Sequence, residues 1–199
     1  MTTANLDVAE DVLADLASRL LGSHARTGAT RVLGIDGRSG SGKTTVAARL
    51  ARLLGAPVVQ LEYLYPGWFG LHDGIHLLVS DVLGPLRAGR PATVPSWDWY
   101  AMAWAEPAEL APPPVLVVEG VGACAWPVRP YLSLSVWVDL PDDVRLERAR
   151  SRDWTTYEEH WDVWAAQEEL LLRDDDTPNQ VDVVLSNGRS LVSPTESER

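Results

Sequence analysis

The chain has 199 residues, enough for one domain with a substantial core. Its formal net charge of −11 speaks against a nucleic-acid or anionic-membrane surface, so the cations needed for any anionic ligand must be local. Its one cysteine, Cys124, rules out an internal disulfide and a cysteine-based zinc site.

Asn5 to Leu21 reads as a helix. Leu6, Ala9, Leu13, Leu16 and Leu20 recur at helical spacing, acids occupy the other side, and Gly22 ends it. The acidic start is unlike a secretory leader, and no apolar stretch approaches membrane-spanning length. A cytoplasmic location is expected.

Arg31 to Asp36 reads as a buried strand and Lys43 to Leu54 as a helix with Val46, Leu50, Leu53 and Leu54 apolar. Between them, Gly37-Arg38-Ser39-Gly40-Ser41-Gly42-Lys43-Thr44 fits G-x-x-x-x-G-K-[ST], the phosphate-binding loop. Strand, glycine loop and helix N-terminus make an anion site, where backbone N–H groups and the helix dipole face the phosphates. Lys43 is expected to reach the β- and γ-phosphates, and Thr44 to hold Mg²⁺. Lys43 is the only lysine; every other strong cation is arginine, and a compact ammonium suits a phosphate oxygen.

Val58 to Leu61 reads as a short second strand that delivers Glu62-Tyr63-Leu64-Tyr65-Pro66-Gly67-Trp68-Phe69-Gly70 at its carboxyl end. Ligands of open α/β sheets bind just beyond that end. Glu62 is the candidate to accept the proton of an attacking hydroxyl, with Tyr65 and Trp68 beside it at the substrate; the alternative is a surface glutamate in an aromatic loop. Gly74 to Ala88 reads as a helix broken or ended near Gly84-Pro85. A second aromatic cluster, Trp97-Asp98-Trp99-Tyr100, either shapes a pocket that hydrogen-bonds a hydroxyl through Asp98 or packs a core. Ala101 to Pro114 reads as an irregular excursion.

Val115 to Gly120 reads as a strand buried on both faces, with Glu119 at its end, where an NTPase carries its Mg²⁺-associated acid. Cys124 is expected to pack. Ser135 to Leu140 is a fourth strand, and Pro141-Asp142-Asp143 opens a helix. Arg145, Arg148 and Arg152 share one face of it, suited to a transferring phosphoryl group. Trp154 to Arg173 contains another helix, with Tyr157, Trp161, Trp164 and Leu171 broadly on one side, and Asp174-Asp175-Asp176 is a solvated helix end. Val181 to Leu185 is the last strand. The following Ser186-Asn187-Gly188 loop is a place for an adenine ring to rest, and residues 190–199 read as a frayed tail.

Ile35 to Thr45 resembles the opening of uridine kinases and related P-loop nucleoside and nucleotide kinases. The likeness continues at Val118-Glu119-Gly120, and at Val138-Asp139-Leu140 with the arginine-bearing run Arg145 to Asp153. The resemblance implies a three-layer α/β fold: a five-stranded parallel sheet flanked by helices, with a helical lid at about 145–160, all one domain over 1–199. It also implies ATP with Mg²⁺ and phosphoryl transfer to a small acceptor, a nucleoside or similar ring compound. The ATP loop would be Gly37, Arg38, Ser39, Gly40, Ser41, Gly42, Lys43, Thr44 and Thr45. Thr44 and Glu119 would serve the metal, Lys43, Arg148 and Arg152 the γ-phosphate. Glu62, Tyr65, Trp68, Asp98 and Glu119 would face the acceptor. Family members carry Asp where this chain has Glu62, one methylene longer. The alternative is a nucleotide-binding ATPase or regulatory switch. A GTPase is disfavoured, because its Asn-Lys-x-Asp element needs a second lysine. Neither nucleic acid nor membrane is expected as a partner.

Overall fold

The structure, a computed structural model, describes residues 8–148, 159–186 and 189–192. Its helices and strands are α1 (Glu10–Gly22), β1 (Arg31–Asp36), α2 (Lys43–Leu54), β2 (Val58–Gln60), α3 (Leu71–Leu77), α4 (Gly84–Arg87), β3 (Ala92–Val94), β4 (Trp97–Asp98), β5 (Ala103–Trp104), β6 (Ala108–Leu110), β7 (Val115–Glu119), β8 (Leu134–Asp139), α5 (helical residues 142–148), α6 (Trp161–Asp175), β9 (Val183–Ser186) and β10 (Arg189–Val192).

The sheet runs β10-β9-β8-β1-β7-β2. Five strands are parallel, as expected, and β10 adds an antiparallel edge beside β9. The chain therefore stays ordered in the sheet through Val192, beyond the expected start of the tail at 190; the tail from 193 lies outside the described residues.

Pleating sends alternate side chains to opposite faces. Leu33 and Ile35 of β1, with Val115 and Val117 of β7, face Leu13, Leu16 and Leu20 of α1 and Val46 and Leu50 of α2. Val32, Leu116 and Val118 face the other way, onto Ile75, Leu78, Leu86, Trp164 and Leu171. The result is three layers. Each buried leucine stabilises by roughly 1.5–3 kcal/mol through the apolar surface it removes from water.

The helix expected at 74–88 starts earlier and does not break. Leu71–Leu77 is α-helical, Leu78–Leu83 is π-helical, and α4 follows. Pro85 has no N–H and crowds the preceding turn, and a widened π segment absorbs that misfit without ending the helix. The excursion expected as irregular from Ala101 to Pro114 is more ordered than its sequence suggests, since β5 and β6 lie within it. β3 pairs with β6 and β4 with β5, two small antiparallel ladders outside the main sheet.

Candidate active site

The carboxyl ends of β1, β7 and β2 lie side by side, in register at Ile35–Glu119 and Gln60–Glu119. Strand spacing of about 5 Å places the turn after β2 roughly 10 Å from the loop after β1. The phosphate loop, the acid at the end of β7 and Glu62 thus share one edge.

Gly37, Gly40 and Gly42 adopt φ of 149°, 82° and 97°, the region that side chains with a Cβ avoid. A Cβ at Gly40 would lie 2.4 Å from the Arg145 carbonyl oxygen, and one at Gly37 would lie 2.4 Å from that of Val138. The loop is a cradle closed on its outer side by neighbouring backbone. Its N–H groups lead into α2, whose first turn has no helical acceptors of its own. Lys43 Nζ donates to the Arg38 carbonyl at 3.1 Å, holding the ammonium over the loop with two further donors to offer. Ser41 Oγ is buried with no hydrogen-bond partner among the described residues. Thr44 and Thr45 are exposed at the mouth. A cradle shaped by glycines, a captive ammonium and an orphan hydroxyl fit a polyphosphate.

Thr44 Oγ1 donates to Glu119 Oε1 at 3.1 Å, and Gln60 Nε2 donates to the same oxygen at 2.9 Å. Glu119 is 3% exposed. A hydroxyl and a carboxylate in contact at the loop's exit are the hard-oxygen donor set that Mg²⁺ takes. Among the described residues no group of three or more His, Cys, Asp or Glu forms a metal site by itself. The site thus fits a metal that also needs phosphate and water oxygens.

Asp36 braces the loop from beneath. Its Oδ1 accepts the Gly37 and Gly122 N–H groups at 2.6 and 3.0 Å, and its Oδ2 accepts that of Cys124 at 2.9 Å. Burial pushes its carboxyl up to about 6, against the opposing pull of these N–H groups and of Lys43. Cys124 is fully buried, which pushes its thiol well above the ordinary range, so it packs as expected.

The outer wall comes from α5 and α6. Arg145 donates to the Ser39 carbonyl at 2.9 Å and to Asp142 Oδ1 at 2.5 Å. Arg38 pairs with Glu168 at 3.4 Å and with Glu169 at 3.7 Å. Of the three arginines expected on one face, Arg145 is buried and spent on the loop's backbone. Arg148 is partly buried, and the lost hydration pulls its pKa down. Arg152 and most of the lid expected at 145–160 lie outside the described residues, as do Asn187 and Gly188.

On the acceptor side, Glu62 sits in the 3-10 turn Leu61–Tyr63 directly after β2, half-buried, with its carbonyl accepting the Trp99 indole N–H at 3.0 Å. Trp68 packs on Trp99 with ring centroids 4.8 Å apart and stacks on His160 at 4.8 Å. The two tryptophan clusters of the sequence therefore meet. Two expected substrate residues are corrected. Tyr65 is 3% exposed, its ring packs on Trp164, and its hydroxyl is spent on the Val121 carbonyl at 2.8 Å. It supports the site from below. Asp98 is exposed, and its Oδ1 accepts the N–H groups of Tyr100 and Ala101 at 2.8 and 2.9 Å. It caps the β4–β5 turn, as a short acid in a turn does.

Sequence reasoning missed Gln60, His160, Gln167 and Glu168. Glu168 left a signal: it stands four residues after Trp164 and three before Leu171, a carboxylate on an apolar helix face. Gln60 and His160 left none, because their roles come from strand pairing and from a distant ring.

No family model matches the chain. It is 30% identical over 142 residues to a cytidylate kinase of Pyrobaculum arsenaticum, covering 71% of each chain. It is 29% identical over 143 residues to a uridine kinase of Staphylococcus aureus, covering 63% of this chain and 69% of the relative. Among solved structures, a possible uridine kinase from Bacillus stearothermophilus superposes with a TM-score of 0.64 at 24% identity, over 87% of this chain and 97% of that one. A putative fructose transport system kinase from Silicibacter superposes with a TM-score of 0.57 at 18% identity, over 85% and 94%. These likenesses, the phosphate loop after β1 and the acid closing β7 agree: the chain belongs to the uridine kinase-like family of P-loop nucleoside and nucleotide kinases.

Proposed function

We propose that the protein is an ATP-dependent kinase that transfers the γ-phosphoryl group to a hydroxyl of a small molecule, most plainly a nucleoside or similar ring compound. The observation that carries this reading is the shared edge. The glycine cradle, the Thr44–Glu119 contact and the Glu62 turn are adjacent at the carboxyl ends of β1, β7 and β2. A nucleotide-binding ATPase or switch would need the first two only. The third, followed by the Trp68–Trp99–His160 aromatic group, supports a second, ring-bearing substrate.

In this reading Gly37 to Thr45 hold the triphosphate, and Lys43 turns from the Arg38 carbonyl to the phosphate oxygens. Thr44 and Glu119 would hold Mg²⁺, which would neutralise charge on the phosphates when bound. Gln60 keeps the Glu119 carboxylate aimed at the loop. Glu62 accepts the acceptor hydroxyl's proton as the oxygen attacks phosphorus and the bond to the β-phosphate oxygen breaks. Arg148 and Arg152 add cationic charge at the γ-phosphate. The longer Glu62 side chain sets the hydroxyl differently from the Asp of the family, so the acceptor is open among hydroxylated rings.

The test is a screen of nucleosides, nucleotides and other hydroxylated metabolites with MgATP, scored by phosphorylated product. Product with at least one ring compound supports the reading. ADP released at the same rate with every compound, without product, overturns it in favour of the ATPase.

A further inference from the structure

Helix α6 carries two adjacent polar residues that grip opposite sides of the site. Glu168 is 2% exposed. Its Oε1 accepts the Ser39 N–H at 2.9 Å, the Ser39 hydroxyl at 2.5 Å and the Trp164 indole N–H at 3.0 Å. Its Oε2 takes Arg38 Nε at 3.4 Å. Gln167 faces the other way. Its Nε2 donates to the Trp68 carbonyl at 2.7 Å, and its Oε1 accepts the Leu71 N–H at 3.5 Å. One residue thus holds the outer arm of the phosphate loop, and its neighbour holds the backbone of the aromatic loop. Trp164, one turn earlier, reinforces both. Its indole N–H also lies 2.9 Å from Ser39 Oγ, while its ring packs on Tyr65. His160, just before the helix, stacks on Trp68.

We propose that Gln167 and Glu168 are a coupling pair of positioning residues, through which filling the phosphate loop orders the Trp68–Leu71 loop on the acceptor side. The physical ground is rigidity. A buried carboxylate with four donors cannot give up its partners cheaply, so Ser39 and α6 move together. The α-helix is stiff over one peptide unit, so a shift at Glu168 is a shift at Gln167 and hence at the Trp68 carbonyl. By linkage the effect is reciprocal: a ligand held at the aromatic loop favours the same loop position that nucleotide favours. The proposal deepens the kinase reading and rests on it for the identity of the ligand that fills the loop.

The test is hydrogen–deuterium exchange of the full chain with and without saturating AMP-PNP and magnesium, read in peptides spanning residues 64–74. In the wild type the nucleotide analogue slows exchange there by about fivefold or more. Gln167→Ala loses most of that slowing while its Kd for the analogue stays within about threefold, because the hydrogen bonds of Gln167 go to Trp68, Leu71 and Val163 and not to the phosphate loop. Glu168→Gln, which turns an amide donor toward the donors of Ser39 and Arg38, loses it as well when occupancy is matched. Gln167 is only partly buried, so its variant keeps the fold, and a thermal melt confirms this for both. Slowing retained in both variants, or absent from the saturated wild type, overturns the proposal. Failure of the kinase reading shows differently, as no phosphorylated product with the slowing intact.

Discussion

Thr44 Oγ1 lies 3.1 Å from Glu119 Oε1, joining the first turn of α2 to the last residue of β7. In the proposed reading, this contact sets two oxygens where a hard cation would meet the end of a triphosphate. Glu119→Gln keeps the size and removes the charge. It is expected to lower turnover by a factor on the order of 10² and to raise the magnesium concentration for half-maximal rate. A magnesium titration of both proteins checks this; superimposable curves would remove Glu119 from the metal site.

Lys43 is held over the loop by the Arg38 carbonyl, with its remaining N–H groups available to phosphate. Lys43→Ala is expected to abolish nucleotide turnover, with circular dichroism and melting unchanged within a few degrees. Turnover near the wild-type rate would refute the phosphate-loop assignment.

Arg145 and Arg148 divide, in the proposed reading, a structural duty from a catalytic one. Arg145 is buried against the Ser39 carbonyl, so Arg145→Ala is expected to cost about 2–4 kcal/mol of stability and to loosen the loop. Replacing Arg148 together with Arg152 is expected to leave the melt near wild type and to lower the transfer rate by on the order of 10². Equal effects of the two changes on melting and on rate would contradict the division.

Asp36 gives a pH dependence with a defined sign. Its folded carboxyl titrates near 6, above its unfolded value of 3.8, because burial disfavours the charge. The native state therefore binds the extra proton between those values. This group's contribution makes the protein most stable below about pH 4, and that contribution is lost as pH rises through 6, by up to about 3 kcal/mol. Function runs the opposite way. Protonation weakens the carboxyl as acceptor for the N–H groups of Gly37, Gly122 and Cys124, so nucleotide affinity is expected to fall on acidification through pH 6. Asp36→Asn should flatten the affinity profile between pH 5 and 7. An unchanged profile in that variant would place the titration elsewhere.

The strands and the phosphate loop were legible because their signals are local. Leu33 and Ile35 alternate with Val32 and Gly34 along one short run, and the loop's glycines stand at fixed spacing. Glu119 was legible from its place at the end of a continuous apolar strand. The site's supporting residues were not. Gln60 meets Glu119 only because β2 pairs with β7, and Glu168 meets Ser39 across 129 residues of chain. Asp98 misled because an acid among tryptophans suits a pocket, whereas it closes its own turn. Tyr65 misled because an aromatic beside a candidate base suits a binding site, whereas its hydroxyl satisfies a buried carbonyl. The β3–β6 and β4–β5 ladders are two or three residues long, too short for period-two alternation to register.

The most direct measurement follows a labelled γ-phosphate from MgATP when a panel of nucleosides is present, in the wild type and in Glu62→Gln. The account predicts label in a nucleoside product for the wild type, and a transfer rate lower by a factor on the order of 10² to 10⁴ in the variant, with nucleotide affinity within a few fold. Label found only in inorganic phosphate, or equal transfer by both proteins, would contradict it.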